Sequence, residues 1–151
     1  MKMTNIASRL RTEEHSDEWF KERLDYMNEF LTEERKEVLQ RTVSQRTHYM
    51  RIMTENMFHP QNASAIMRHC EAFGIQQIHT VEDRCKFDPS VNIVRGTQKW
   101  VDVERHENTA EALAALKAEG YRIVATTPHR CSVTPETFDV TKGKFALVFG
   151  T

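Results

Sequence analysis

No stretch of the 151 residues approaches the ~20 consecutive apolar residues that a membrane span needs. The first residues, Met1 to Trp19, contain no apolar run of the kind that makes a secretory leader. A cytoplasmic location is therefore the expectation. Cysteine is scarce: Cys70, Cys85 and Cys131 are odd in number and form no CxxC pair, which argues against both a disulfide framework and a zinc ribbon. A strong charge of either sign is missing too, since 21 Lys and Arg face 22 Asp and Glu, for a formal net charge of −1. Any affinity for nucleic acid has to come from local clusters of cations rather than from a basic domain. There is neither an internal repeat nor a low-complexity segment.

What is present suits one ordinary globular domain with an appendage. Apolar residues make up 39% and charged residues 28% of the chain. Residues 17–31 carry Trp19, Phe20, Leu24, Met27 and Leu31 at helical spacings behind Ser16, a good N-cap. Thr32 caps a second helix bearing Val38, Leu39 and Val43. Residues 1–48 thus read as a helical N-terminal extension. The basic residues Arg9, Arg11 and Arg41 lie there among acidic neighbours, and a solvated helix face is the bland reading of such a pattern.

At Tyr49 the period changes. A strand over 49–53, a helix over 63–73 closed by Gly74, and a strand over 75–81 make a βαβ unit. Asn62 stands near that helix start, where Asn commonly caps backbone amides. Residues 82–99 read as a loop and 100–103 as a short strand, with Trp100 more often core than a stacking platform. Thr109 caps a helix that stops at Gly120, a strand follows over 121–126, and Lys144 to Phe149 reads as a buried strand. Strands alternating with helices predict an α/β domain over 49–151, with a mostly parallel sheet flanked by helices. Ligands of such sheets bind outside the carboxyl ends of the strands.

The segment Asn62-Ala63-Ser64-Ala65-Ile66-Met67-Arg68, running on to Ala72-Phe73-Gly74, resembles the first signature motif of the SpoU-type (TrmH-like) RNA ribose methyltransferases of the SPOUT superfamily. Thr97-Gln98-Lys99-Trp100 is similar to that branch's Ser/Thr-x-Lys-Trp element. Val124-Ala125-Thr126-Thr127 lies where the family's strand enters the cofactor site, and Phe149-Gly150-Thr151 matches the opening of its second signature. The likeness covers roughly residues 49–151.

The resemblance implies methyl transfer from S-adenosylmethionine to a ribose 2'-hydroxyl, most commonly on a guanosine in the D-loop of tRNA. It implies Arg68 and Asn62 as catalytic residues, and Thr126, Thr127, Pro128, Phe149 and Gly150 as cofactor contacts. RNA contacts would come from Lys99, Arg95, Arg9, Arg11 and Arg41. A homodimer is implied and no metal is. His69, Cys70, His129 and Cys131 do not have the spacings of structural zinc ligands. The family motif offers Arg68 as the activator of the hydroxyl. A guanidinium is effectively always protonated, so binding of phosphate and stabilisation of the developing alkoxide is the simpler part for it.

Family members continue through two further motif segments that build a trefoil knot and most of the cofactor pocket. The sequence shown is expected to be a portion of such an enzyme, inactive alone, with the edge of its last strand left open. Two alternatives stand beside this reading: a non-catalytic RNA-binding fragment, and the same chemistry on a ribosomal RNA guanosine.

Overall fold

In a computed structural model, residues 15–128 and 133–150 are described. The chain divides after Ser44 into two compact units.

The first unit holds α1 (Asp17–Asn28) and α2 (Glu33–Ser44). Ser16 caps α1 by accepting from the Trp19 amide at 3.2 Å, and Thr32 Oγ1 accepts from the Arg35 amide at 3.3 Å. Both caps satisfy donors that a helix start leaves unpaired. Neither helix buries a residue, and Arg41 is exposed on the last turn of α2.

The second unit follows the alternating pattern: β1 (Met50–Glu55), α3 (Pro60–Ala72), β2 (Gln77–Val81), the single-turn α4 (Val91–Val94), a 3-10 turn (Thr97–Lys99), β3 (Asp102–His106), α5 (Thr109–Ala118), β4 (Arg122–Ala125) and β5 (Phe145–Phe149). The five strands lie in the order β3-β2-β1-β5-β4, and every pairing is parallel. Helix α3 covers one face over Ile52, Met67, Cys70, Ile78 and Val94. Helix α5 covers the other over Met53, Val81, Leu116, Tyr121 and Ala146. Strand β1 serves both cores because neighbouring residues point to opposite faces, Ile52 to one and Met53 to the other.

Four readings are corrected by this fold. The strand at 144–149 has no open edge: β5 is inserted between β1 and β4, so the free edges belong to β3 and β4. The segment 82–99 is not loop throughout, because α4 and the 3-10 turn occupy part of it, each too short to show a helical period. The strand expected at 100–103 lies at 102–106, displaced because its inward residues Glu104 and His106 are polar and give no apolar alternation. The cap of α5 is Asn108, whose side chain accepts from the Glu111 amide at 2.9 Å, while Thr109 is the first helical residue.

Gly74 closes α3 at φ +70°, and a side chain there would run into the Gln45 carbonyl. Arg46 fixes the same corner by donating to Gln76 Oε1 at 2.8 Å and to the carbonyls of Ile75 and Trp100 at 3.1 and 2.7 Å.

Candidate functional site

The sheet order reverses beside β1: chain succession runs outward through β2 and β3, then returns to place β5 and β4 on the other side. The crevice at such a switch point, outside the carboxyl ends of the strands, is where open α/β sheets bind ligands. Glu55, Asn56, Phe149 and Gly150 occupy that edge, and Thr126 and Thr127 follow directly from β4.

Register brings the expected cofactor residues together. Ala125 pairs with Val148, so Thr126 and Thr127 emerge beside Phe149 and Gly150. The Thr126 amide and hydroxyl both donate to the Val148 carbonyl, at 3.0 and 2.9 Å, which uses up its donors. Thr126, Thr127 and Pro128 are exposed, and Phe149 is half-buried against the α3 core. Among the described residues, a side chain at Gly150 would meet only Glu55 Oε2, at 3.7 Å. Packing among the described residues therefore does not demand glycine at this position, which fits a ligand that approaches backbone.

Asn56 adopts φ +50° just past β1. Its amide donates to the Val81 carbonyl at 3.1 Å and its Oδ1 accepts from the Arg84 amide at 2.9 Å, which ties the ends of β1 and β2. Glu55 Oε1 accepts from the Thr109 hydroxyl at 2.5 Å, which fastens the start of α5 to the same edge.

Asn62 and Arg68 are exposed on α3. The cap of α3 is His59, with Pro60 at the first helical position, so Asn62 sits inside the first turn and is not the N-cap. Its carboxamide is left exposed to whatever lies over the helix start. Arg68 Nη1 donates to the Ile93 carbonyl at 3.0 Å. It therefore lies on the flank of α3 that faces α4, together with Ser64, whose hydroxyl oxygen accepts from the Ser90 amide at 2.8 Å. The opposite flank carries Ile66, His69 and Phe73, which line an apolar groove of about 250 Å³ reaching Leu147 and Phe149. Within one chain, then, Arg68 is turned away from Gly150. Lys99 and Arg95 are exposed in the segment that packs beside α3, Arg95 in the left-handed region at φ 48°. These cations share the α4 side of the domain with Arg68. Arg9 and Arg11 lie outside the described residues.

Of the four groups weighed for zinc, His129 and Cys131 also lie outside the described residues. Cys70 is buried, and loss of solvation pushes its thiol up to about 12, leaving it unreactive at neutral pH. A different polar cluster escaped sequence reading. His79, Glu104 and His106 converge on the α5 face of the sheet, with the two imidazoles buried. The only signal was the period of two that puts Gln77 and His79, and Glu104 and His106, on one face of their strands.

The fold and the site define a parallel α/β domain with its candidate ligand edge at the switch point and a cation-bearing helix behind its central strand. The family model described as SpoU rRNA Methylase matches residues 49–151. The chain belongs to that family. It is 31% identical over 129 residues to the tRNA (guanosine(18)-2'-O)-methyltransferase of Borreliella burgdorferi, covering 85% of this chain and 59% of that protein. It is 29% identical over 119 residues to the protein of the same name from Thermus thermophilus, covering 79% of this chain and 61% of that protein. Among solved structures, the A. aeolicus TrmH/SpoU tRNA modifying enzyme superposes with a TM-score of 0.68 at 28% identity, covering 79% of this chain and 60% of the other. The architecture is the SPOUT-like α/β fold. The chain spans about three fifths of the length of these relatives.

Proposed function

We propose that this protein transfers a methyl group to the 2'-hydroxyl of a guanosine ribose in tRNA. The observation that carries this reading is the 31% identity, over 85% of the chain, to a protein named for that reaction. S-Adenosylmethionine, when bound, supplies the electrophilic methyl group. Thr127, Phe149 and Gly150 would hold one side of it, with Thr126 and Pro128 shaping the rim. Asn62 would hold the substrate end of the site.

A ribose hydroxyl is a very weak acid, and its attack needs the growing negative charge to be stabilised. Arg68 meets that demand as a permanent cation that can also bind the adjacent phosphate through two parallel N–H bonds. Its one contact is to a main-chain carbonyl, so no carboxylate among the described residues neutralises it. Because Arg68 is turned from Gly150 in one chain, the reading includes a homodimer in which Arg68 of one copy serves the strand edge of the other. Lys99, Arg95, Arg41, Arg9 and Arg11 would contribute phosphate contacts. No helix among the described residues is long and apolar enough to cross a membrane, which is compatible with work on cytoplasmic tRNA.

The test is incorporation of labelled methyl from S-adenosylmethionine into total tRNA and into ribosomal RNA, followed by nucleoside analysis. Label as 2'-O-methylguanosine in tRNA is the expected result. Label in ribosomal RNA alone moves the substrate, and incorporation into neither removes the reading.

A further inference from the structure

Beneath α5 the sheet carries a run of polar groups that the methyl-transfer reading does not use. Arg51 on β1 donates through Nη1 and Nη2 to the two carboxylate oxygens of Glu119, both at 2.7 Å, and stacks over the Tyr121 ring at 4.4 Å. Its Nη1 also lies 3.3 Å from His79 Nε2. On the other side of that ring, His79 Nδ1 lies 2.9 Å from His106 Nε2. The two imidazoles are coplanar within 8° with centroids 5.2 Å apart, so they meet edge to edge in a common plane, the arrangement a linear N–H···N bond requires. His106 Nδ1 then faces Glu111 Oε1 at 3.6 Å.

Donor and acceptor roles follow from one fixed point. A guanidinium only donates. Arg51 therefore takes the lone pair of His79 Nε2, and a neutral His79 must carry its proton on Nδ1. That proton points at His106 Nε2, which must accept, so His106 carries its own proton on Nδ1, facing Glu111. The same logic weighs against a metal at His79, Glu104 and His106. The Nδ1 lone pair a metal would need is already a bond to hydrogen, and the Arg51 cation stands on the far side of the ring.

We infer that the Arg51–His79–His106 chain is a pH-sensitive latch that ties the first three strands to one another and, through Glu119, to the C-terminal end of α5. An added proton has no place in it. On His106 it leaves two N–H groups facing each other across 2.9 Å, and on His79 it turns Nε2–H against Arg51. The other charged groups around the chain are Glu104 on β3, with oxygens 3.7 and 3.9 Å from the imidazoles, Glu111 and Glu119 on α5, and Lys144 over the Tyr121 ring. Gln77 on β2 holds Glu104 by donating to Oε2 at 2.5 Å. Burial and the Arg51 cation keep His79 neutral, pushing it down to about 4.

Nitrogen NMR of the histidine side chains reads this directly. At pH 7.5 both His79 and His106 are expected as Nδ1–H tautomers, and an Nε2–H tautomer at either ring overturns the latch. Hydrogen exchange gives the second measurement. Protection of the Ala112 and Leu116 amides, corrected for intrinsic rates, is expected to fall about tenfold between pH 7 and pH 5. In His79→Gln, whose amide can accept from Arg51 and donate to His106 but cannot titrate, most of that fall should disappear. A variant that keeps the parent's pH dependence contradicts the proposal. If that variant does not fold, the tautomers of the unaltered chain decide alone.

Discussion

The Thr109 hydroxyl donates to Glu55 Oε1 at 2.5 Å, joining the first residue of α5 to the last residue of the central strand. One bond thereby fixes the helix start, the strand end and the neighbourhood of Gly150. Thr109→Val keeps the shape and removes the donor. It is expected to destabilise the fold by about 1–3 kcal/mol, the usual cost of taking one partner from a hydrogen bond to a charged group. Urea unfolding measures it, and an unchanged midpoint would show the bond to be idle.

Gly74 and Gly120 separate two costs of adding a side chain. Both have positive φ, +70° and +83°, but a Cβ at Gly74 meets the Gln45 carbonyl whereas one at Gly120 meets none of the described residues within 4 Å. Gly120→Ala should cost about 1 kcal/mol for the backbone conformation alone. Gly74→Ala should cost several kcal/mol, since main chain must also move. Equal losses in thermal unfolding would place the difference elsewhere.

Acid should destabilise the fold through His79. Its folded pKa is lowered from 6.5 to about 4, first by burial and then by Arg51 and His106. The unfolded chain therefore binds a proton that the folded chain refuses, and stability is full above about pH 6.5 and lost as pH falls toward 4. The loss is on the order of 3 kcal/mol, from the 1.36 kcal/mol carried by each pKa unit. Glu119, held low by the hydrogen bond from Arg51, adds to the loss at the acid end. Unfolding free energies measured from pH 8 to pH 4 should fall in that window, and His79→Gln should flatten the fall.

Arg68→Ala should leave the fold intact, because the side chain is exposed and its only hydrogen bond among the described residues is to the Ile93 carbonyl. Methyl transfer should drop by a factor on the order of 10² to 10⁴, the range for losing a charge-stabilising or proton-transfer group. Affinity for S-adenosylmethionine should hardly change. Equal turnover in variant and parent removes Arg68 from the chemistry.

Lys99→Ala should weaken RNA binding uniformly across sequences. The slope of log affinity against log salt should become shallower by about 0.7–0.9, the share of one phosphate contact. An unaltered slope in filter binding would make Lys99 an ordinary solvated cation.

The alternation of strands and helices from β1 to β5 could be read from periodicity, because residues buried on a sheet face or helix flank must recur at intervals of two or near four. So could the helix stops at Gly74 and Gly120, where left-handed backbone needs glycine. Asn62, Arg68 and Gly150 stood out by resemblance to the family's motifs, which places them on known elements without saying which way each faces. Strand order lay beyond that reading: the insertion of β5 between β1 and β4 joins residues 90 or more positions apart, and no local pattern encodes it. The turn of Arg68 toward Ile93 depends on where α4 packs, and the His79–His106 bond depends on the register of two strands that share no sequence signal. Local periodicity and turn chemistry are written along the chain, whereas the meeting of distant polar groups is set only when parallel pairing and helix packing bring their faces together.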